Sequence, residues 1–244
     1  MQQNIIHPTA IVAHDVEIGE NNRIGPYSII GGMGCKVSIG SNNYFGAYSL
    51  IGSPAEFATG CTVEAMLDFE QWSATNPSQV SGVKIGDYNV IRDRVSVDAG
   101  IYHNTTIADR CYLHSNCLVN HDCQLSEGVV LAPGVISAGT CSFGKYSQIG
   151  VNAVLHQGRK VGAFAMVGMN ATVTRDIPDF ALSFGNPSRT MGANRLRLKR
   201  LGIPEKDIES TNDFLLGLNQ TCPESVLDLL NVPTEFKTKH DSDE

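Results

Sequence analysis

An apolar residue returns at every sixth position over much of this chain, a period that fits neither an α-helix nor a β-strand. Counted in sixes from Ile107 to Val173, eleven of the twelve positions are apolar, and the twelfth is Ser137. Shorter runs with the same spacing occur earlier, at Ile18, Ile24 and Ile30, at Ile39, Phe45 and Ile51, and at Ile85, Ile91 and Val97. One inward apolar residue per six is typical of a short strand and a tight turn, repeated along the chain.

Three such units close a triangular coil, and successive coils stack at the strand spacing of about 4.8 Å. The 24 glycines suit the corners of such a coil, where the backbone must turn sharply, and an aromatic content of only 7% suits its narrow core. The spacing therefore predicts a parallel β-helix, and it leaves the handedness open.

The count of six slips at three places, and a stacked core cannot absorb the extra residues. Between Ile51 and Ile85 there are 28 extra residues, which predict a loop excursion at about residues 53–82. Smaller slips add three residues after Ile30 and four after Val97. We expect the long excursion to cover a site or a partner surface.

The hexad pattern ends after Val173, and leucines with helical spacing follow at Leu196, Leu198 and Leu201. We predict a β-helix domain over residues 1–186. The remainder, residues 187–244, is predicted to form two or three helices outside the coil and then a disordered acidic tail.

Composition excludes several classes of function. A formal net charge of −7 gives no electrostatic footprint for nucleic acid, and no phosphate-binding loop motif is present. No apolar run approaches the roughly 18 residues of a membrane span. The polar start and the seven cysteines favour a reduced, cytoplasmic protein. Spacing by six puts Cys111, Cys117 and Cys123 on different faces of the coil, so no metal site is predicted.

Four segments carry a resemblance to a known family, namely NHDC at 120–123, LHQG at 155–158, IPDFALSFGNPSRTMG at 177–192 and NRLRLKRLG at 194–202. They resemble the hexapeptide-repeat acyltransferases, and the order of features looks most like the carrier-protein-dependent UDP-N-acetylglucosamine O-acyltransferases of lipid A synthesis. The resemblance implies a homotrimer of left-handed β-helices with active sites between subunits. It also implies acyl-CoA or acyl carrier protein as co-substrate, and no permanently bound cofactor.

The resemblance assigns roles to individual residues. His121 matches the family's general base, which takes a proton from the attacking group of the sugar. Five further positions match residues that contact the sugar, line the cleft or reach the phosphates or the donor: Glu56, His156, Gln157, Asn194 and Arg200. Arg200 is chemically suited to this role because a guanidinium pairs with phosphate through two hydrogen bonds.

The positions of His103 and Asp122 relative to His121 follow from the spacing of the sequence. His103 lies 18 residues earlier and would stack one coil away if the four-residue slip falls at 98–100. Asp122 follows His121 directly, and adjacent side chains on a strand point to opposite faces. Asp122 is therefore not assigned as the carboxylate that orients His121, although a corner at this point would change that.

Departures from the family pattern bear on the substrate. Leu118 and Thr140 stand where the lipid A enzymes have histidines. Met169 stands where a glycine opens the acyl pocket, which favours a short acyl group. These features favour N-acylation of a nucleotide-linked amino sugar, with O-acylation of UDP-N-acetylglucosamine from acyl carrier protein as the alternative. A β-helix scaffold without catalytic activity is the alternative from another class.

Overall fold

The computed structural model describes residues 3–32, 35–55 and 81–231, and it confirms a parallel β-solenoid. Short strands form three sheets, one on each side of a triangular coil, and within the coils each strand pairs in parallel with the strand one coil away. Leu113 pairs with Leu131 and Val119 with Ser137, so a full coil takes 18 residues. The six-residue period of the sequence thus becomes one side of the triangle.

The strands are numbered in chain order and the sheets are lettered A, B and C. Sheet A contains β1 (Ile5–Ile6), β4 (Arg23–Ile24), β7 (Tyr44–Phe45), β10 (Val90–Ile91), β13 (Tyr112–Leu113), β16 (Val130–Leu131), β19 (Gln148–Ile149), β22 (Met166–Val167), β24 (Ala181–Phe184) and β25 (Arg189–Ala193). Sheet B contains β2 (Ile11–Val12), β5 (Ile29–Ile30), β8 (Leu50–Ser53), β11 (Ser96–Asp98), β14 (Leu118–Val119), β17 (Ile136–Ser137), β20 (Val154–Leu155) and β23 (Thr172–Val173). Sheet C contains β3 (Glu17–Ile18), β6 (Val37–Ile39), β9 (Val83–Ile85), β12 (Thr105–Ile107), β15 (Gln124–Leu125), β18 (Ser142–Phe143) and β21 (Lys160–Val161).

The core is a stack of the hexad residues. From Ile85 to Val173 they are all buried, because each packs on its counterpart in the next coil. Ser137, the one polar member of the series, is also fully buried, and its hydroxyl donates a hydrogen bond to the Leu118 carbonyl at 3.3 Å. The exception to the apolar pattern therefore keeps a hydrogen-bond partner inside the core.

The extra residues all leave the coil at one corner, where the chain passes from sheet B to sheet C. We call it the B–C corner. The long excursion departs after β8 and returns before β9, although residues 56–80, with Glu56 among them, lie outside the described residues. The slip of four lies between β11 and β12: nine positions separate Val97 from Thr106, whereas five separate their partners Val119 and Gln124. We call residues 98–104 the insertion.

The end of the solenoid is closed by a hairpin and three helices. Strands β24 and β25 pair antiparallel, and the expected domain boundary at residue 186 falls in the turn between them. Helices α1 (Arg195–Arg200), α2 (Glu205–Leu215) and α3 (Glu224–Asn231) follow. They share a second apolar cluster with the corner residues Phe164 and Phe180. The predicted helices are confirmed, and the acidic tail lies outside the described residues.

Candidate active site

His121 lies at the B–C corner, between β14 and β15, with Asp122 beside it. Asp122 has a φ of 61°, so the backbone turns there instead of continuing as a strand. The turn brings the two side chains together, with 2.8 Å between His121 Nδ1 and Asp122 Oδ2. The expectation that these neighbours point to opposite faces is wrong, because it applies to a strand and the pair lies in a turn.

Asp122 is buried but well supplied with hydrogen bonds. Its side chain has no solvent exposure, whereas that of His121 is 18% exposed. Asp122 Oδ1 accepts hydrogen bonds from three consecutive backbone N–H groups, those of Ile101, Tyr102 and His103, at 3.1, 2.9 and 2.9 Å. Burial by itself would raise the pKa of Asp122, but these hydrogen bonds and the one from His121 outweigh it and hold the pKa below its ordinary value.

The charge of Asp122 decides which nitrogen of His121 is available for chemistry. An ionised carboxylate can only accept hydrogen bonds, so His121 Nδ1 must be the donor in this pair. In the neutral imidazole the other nitrogen, Nε2, is then an acceptor. The pair thus has the form of a general base with an orienting carboxylate.

Gly139 gives the His121 ring its space. It lies one coil beyond His121 in the register set by Val119 and Ser137. A Cβ at Gly139 would collide with Cε1 and Nε2 of the imidazole, so any larger residue would displace the ring. Sequence reasoning did not identify Gly139, although its position 18 residues after the proposed base was a usable signal.

His103 approaches the same carboxylate from the insertion. Its Nδ1 lies 3.5 Å from Asp122 Oδ1, and its side chain is more than half exposed. Since Thr106 pairs with Gln124, His103 is also one coil below His121 in register. The two imidazoles therefore lie at one edge, as the stacking argument expected, and the structure adds that both approach Asp122. A contact of His103 with substrate stays a prediction.

His156 and Gln157 lie at the same corner, two coils beyond the pair. Val119 pairs with Ser137 and Ser137 with Leu155, so Gln157 is in register with His121, about 10 Å along the axis. Both side chains are exposed, and Nδ1 of the His156 ring lies 3.2 Å from the Gln157 carbonyl oxygen. Both can meet a ligand that extends along this corner from His121.

The remaining predicted residues lie elsewhere on the chain. Met169 follows β22 at the corner between sheets A and B, and it is 70% exposed. Asn194 caps α1: its side-chain oxygen accepts from Arg197 N and its amide donates to the Phe164 carbonyl. Arg200, in the last turn of α1, is exposed. A single chain does not bring Met169 and His121 to one edge.

Comparison with known proteins places the chain among acyltransferases of this architecture. The family model for the bacterial transferase hexapeptide (six repeats) matches residues 1–32. The chain is 36% identical over 205 residues to the acyl-(acyl-carrier-protein)–UDP-N-acetylglucosamine O-acyltransferase of Thiobacillus denitrificans, covering 81% of this chain and 78% of that one. It is 32% identical over 218 residues to the enzyme of the same name from Herminiimonas arsenicoxydans, covering 84% and 79%.

Solved structures agree with this placement. LpxA from Acinetobacter baumannii aligns with a TM-score of 0.65 at 25% identity, over 95% of this chain and 89% of that one. The UDP-N-acetylglucosamine acyltransferase of Campylobacter jejuni, at 21% identity, shares the fold with a TM-score of 0.69 over 94% and 92%. The fold and the site thus define a hexapeptide-repeat acyltransferase. Within that class, the chain belongs to the UDP-N-acetylglucosamine O-acyltransferase family.

The relatives also bear on the choice between the two acylation reactions. Both relatives named above are called acyl-(acyl-carrier-protein)–UDP-N-acetylglucosamine O-acyltransferases. These names support O-acylation, the alternative drawn from the sequence, better than the N-acylation that the sequence features favoured. Separately, no helix in the described part of the chain is long and apolar enough to cross a membrane.

Proposed function

We propose that this protein transfers an acyl group from the thioester of acyl carrier protein to a hydroxyl of UDP-N-acetylglucosamine, a step of lipopolysaccharide synthesis. The observation that carries the proposal is the His121–Asp122 pair, with its Nε2 free to accept a proton, in a chain of this family. The same pair can also serve N-acylation, and the preference for O-acylation rests on the names of the relatives.

The pair supplies the proton transfers of this reaction. His121 Nε2 takes the proton of the sugar hydroxyl while that oxygen attacks the thioester carbonyl, forming a C–O bond. Asp122 stabilises the imidazolium that results. As the tetrahedral intermediate collapses, the C–S bond breaks and the imidazolium returns the proton to the departing thiolate of the carrier. The products are the acylated sugar nucleotide and the free carrier thiol.

We also propose a left-handed homotrimer whose active sites lie between subunits. The position of Met169 supports this, because it is exposed and lies on a different edge of the coil from His121. In a trimer, the edge of one subunit that carries His121 would face a partner edge that carries Met169. Gln157, His156 and Arg200 are proposed to bind the nucleotide or the donor, and Asn194 to position α1 near them.

A panel of acceptors and donors tests the proposed reaction. UDP-N-acetylglucosamine and a nucleotide-linked amino sugar are each combined with acyl-CoA and acyl carrier protein of several chain lengths, and products are identified by mass. We expect an ester of UDP-N-acetylglucosamine, formed only with carrier-protein donors. Amide formation on the amino sugar with acyl-CoA would instead establish N-acylation. Absence of turnover with every combination of acceptor and donor would favour a β-helix scaffold without catalytic activity.

Substitution of Met169 by glycine is expected to shift donor preference toward longer acyl chains. The exposed Met169 side chain would end the acyl pocket, so its removal lets further methylenes reach apolar contact. Each methylene is worth about 0.8 kcal/mol, so kcat/KM for longer over shorter donors should rise roughly fourfold per added methylene. Val151 occupies the same corner one coil below, and Val151→Gly is the control. An unchanged chain-length profile for Met169→Gly would exclude this role.

A further inference from the structure

The insertion meets the His121–Asp122 pair through its backbone. Residues 101–103 aim three consecutive N–H groups at a single oxygen, Asp122 Oδ1. An ordinary corner of this solenoid has four residues between strands, and at the same corner of the next coil, residues 138–141, one N–H, that of Thr140, donates to the His121 carbonyl. The four extra residues of the insertion thus allow three backbone N–H groups, those of residues 101–103, to surround the carboxylate oxygen. We call these three N–H groups the cradle.

Gly100 allows the cradle to form so close to Asp122. A Cβ at this position would lie 3.0 Å from Asp122 Oδ1 and would collide with the His103 carbonyl oxygen. A side chain at residue 100 would therefore push the N–H groups and the carboxylate apart.

The insertion is held by hydrogen bonds at both ends. At its start, Ser53 Oγ donates to Asp98 Oδ1 at 2.6 Å, and Ala99 N donates to the Ser53 carbonyl at 2.8 Å. At its end, the Asn104 side chain accepts from Gly82 N and its carbonyl accepts from the Gln124 amide, each at 2.7 Å. The backbone donors are therefore fixed in the frame of the solenoid.

We infer that the insertion is a positioning element of the active site, which fixes the carboxylate of Asp122 by backbone N–H groups and through it the orientation and tautomer of His121. With Oδ1 held by three donors, the plane of the carboxylate is set and Oδ2 faces His121 Nδ1. The inference rests on the proposed role of His121 as base. Because backbone N–H groups fix the carboxylate of Asp122, the exposed side chains of the insertion are not needed to position it.

A matched pair of substitutions at Tyr102 separates backbone from side chain. The Tyr102 side chain is 80% exposed, so Tyr102→Ala keeps the cradle, whereas Tyr102→Pro removes one of its N–H donors. We expect Tyr102→Pro to lower kcat on the order of 10²-fold with little change in KM, because misplacing a catalytic group acts on the chemical step. Tyr102→Ala should retain the kcat of the wild type.

A second pair of variants keeps the test independent of proline. Gly100→Ala introduces the collision with the cradle. Gly86→Ala introduces a similar collision with the side chain of Asp109 at another corner, away from His121. Gly100→Ala should reproduce the loss of kcat, and Gly86→Ala should not.

The tautomer of His121 gives a readout that needs no substrate. Long-range proton–nitrogen spectra of protein labelled with ¹⁵N-histidine identify which ring nitrogen carries the proton, with His121→Ala giving the assignment. The Nδ1–H form should dominate in the wild type, Tyr102→Ala and Gly86→Ala, and should be lost or mixed in Tyr102→Pro and Gly100→Ala. If both cradle variants keep the wild-type tautomer and kcat, the inference is wrong. If His121→Ala itself retains activity, the proposed function fails instead.

Discussion

Substitution of His121 by alanine is expected to lower kcat by about 10²- to 10⁴-fold, the usual contribution of a general base. KM should change little, because the imidazole is proposed to act on the reacting hydroxyl and not to anchor the nucleotide. The melting temperature should stay at the wild-type value, since His121 lies at a corner outside the apolar core. Steady-state kinetics with UDP-N-acetylglucosamine and acylated carrier protein measures kcat and KM, and thermal unfolding measures the melting temperature.

His14 provides a matched control for this substitution. It is exposed and lies at the B–C corner between β2 and β3, four coils from His121, which is about 19 Å along the axis. His14→Ala should leave kcat within a few-fold of the wild type. Retention of activity in His121→Ala, or an equal loss in both variants, would remove the imidazole of His121 from the mechanism.

Substitution of Asp122 by asparagine is the second change with a large expected effect. The amide has the shape of the carboxylate, but its nitrogen donates where the carboxylate oxygen accepts. With that nitrogen directed at His121, Nδ1 becomes the acceptor and the proton moves to Nε2, which then cannot take the proton of the sugar hydroxyl. We expect kcat to fall by about 10²- to 10⁴-fold, which steady-state kinetics measures directly.

Asp109 offers the corresponding control. Its carboxylate also lies at a corner of the solenoid and accepts a hydrogen bond from Asp87 N at 2.8 Å, but it has no histidine partner among the described contacts. Asp109→Asn should leave kcat unchanged. An active Asp122→Asn enzyme would show that the orientation of His121 does not depend on the charge beside it.

The solenoid was predictable from sequence because its repeat is local and strict. Each hexad residue meets only its counterparts in neighbouring coils, so the spacing alone fixes the strands, the core and the places where residues must leave it. The slips follow Ile30, Ile51 and Val97, each the third residue of a run of three hexads, so the spacing also implies that the extra residues leave at one corner. Where each insertion begins and ends needed the register of the pairs, such as Val97 with Val119.

The site was only partly predictable, because its chemistry depends on turns. His121 was identified by resemblance, but its partner was missed: a φ of 61° at Asp122 reverses the rule of alternating faces. Asn194 shows the opposite difficulty. The resemblance assigns it a contact with the phosphates or the donor, which stays a prediction, but no sequence signal indicated that its side chain caps α1 and bonds to the Phe164 carbonyl.

The types of the side chains in the insertion do not predict the cradle around Asp122. Its three donors are backbone N–H groups, which every residue except proline carries, and only the extra length and Gly100 mark it in the sequence. Gly139 is similar, since its importance lies in the ring that a Cβ would displace. Both features become visible only when successive coils are placed in register.

A crystal structure of the protein with UDP-N-acetylglucosamine bound tests the central claim most directly, through the distance between His121 Nε2 and the nearest sugar hydroxyl. We predict a hydrogen bond of about 2.6–3.2 Å from a hydroxyl to Nε2, with Nδ1 still bonded to Asp122. A nucleotide sugar bound with every hydroxyl beyond the reach of Nε2, and with no water between them, would contradict the proposed mechanism.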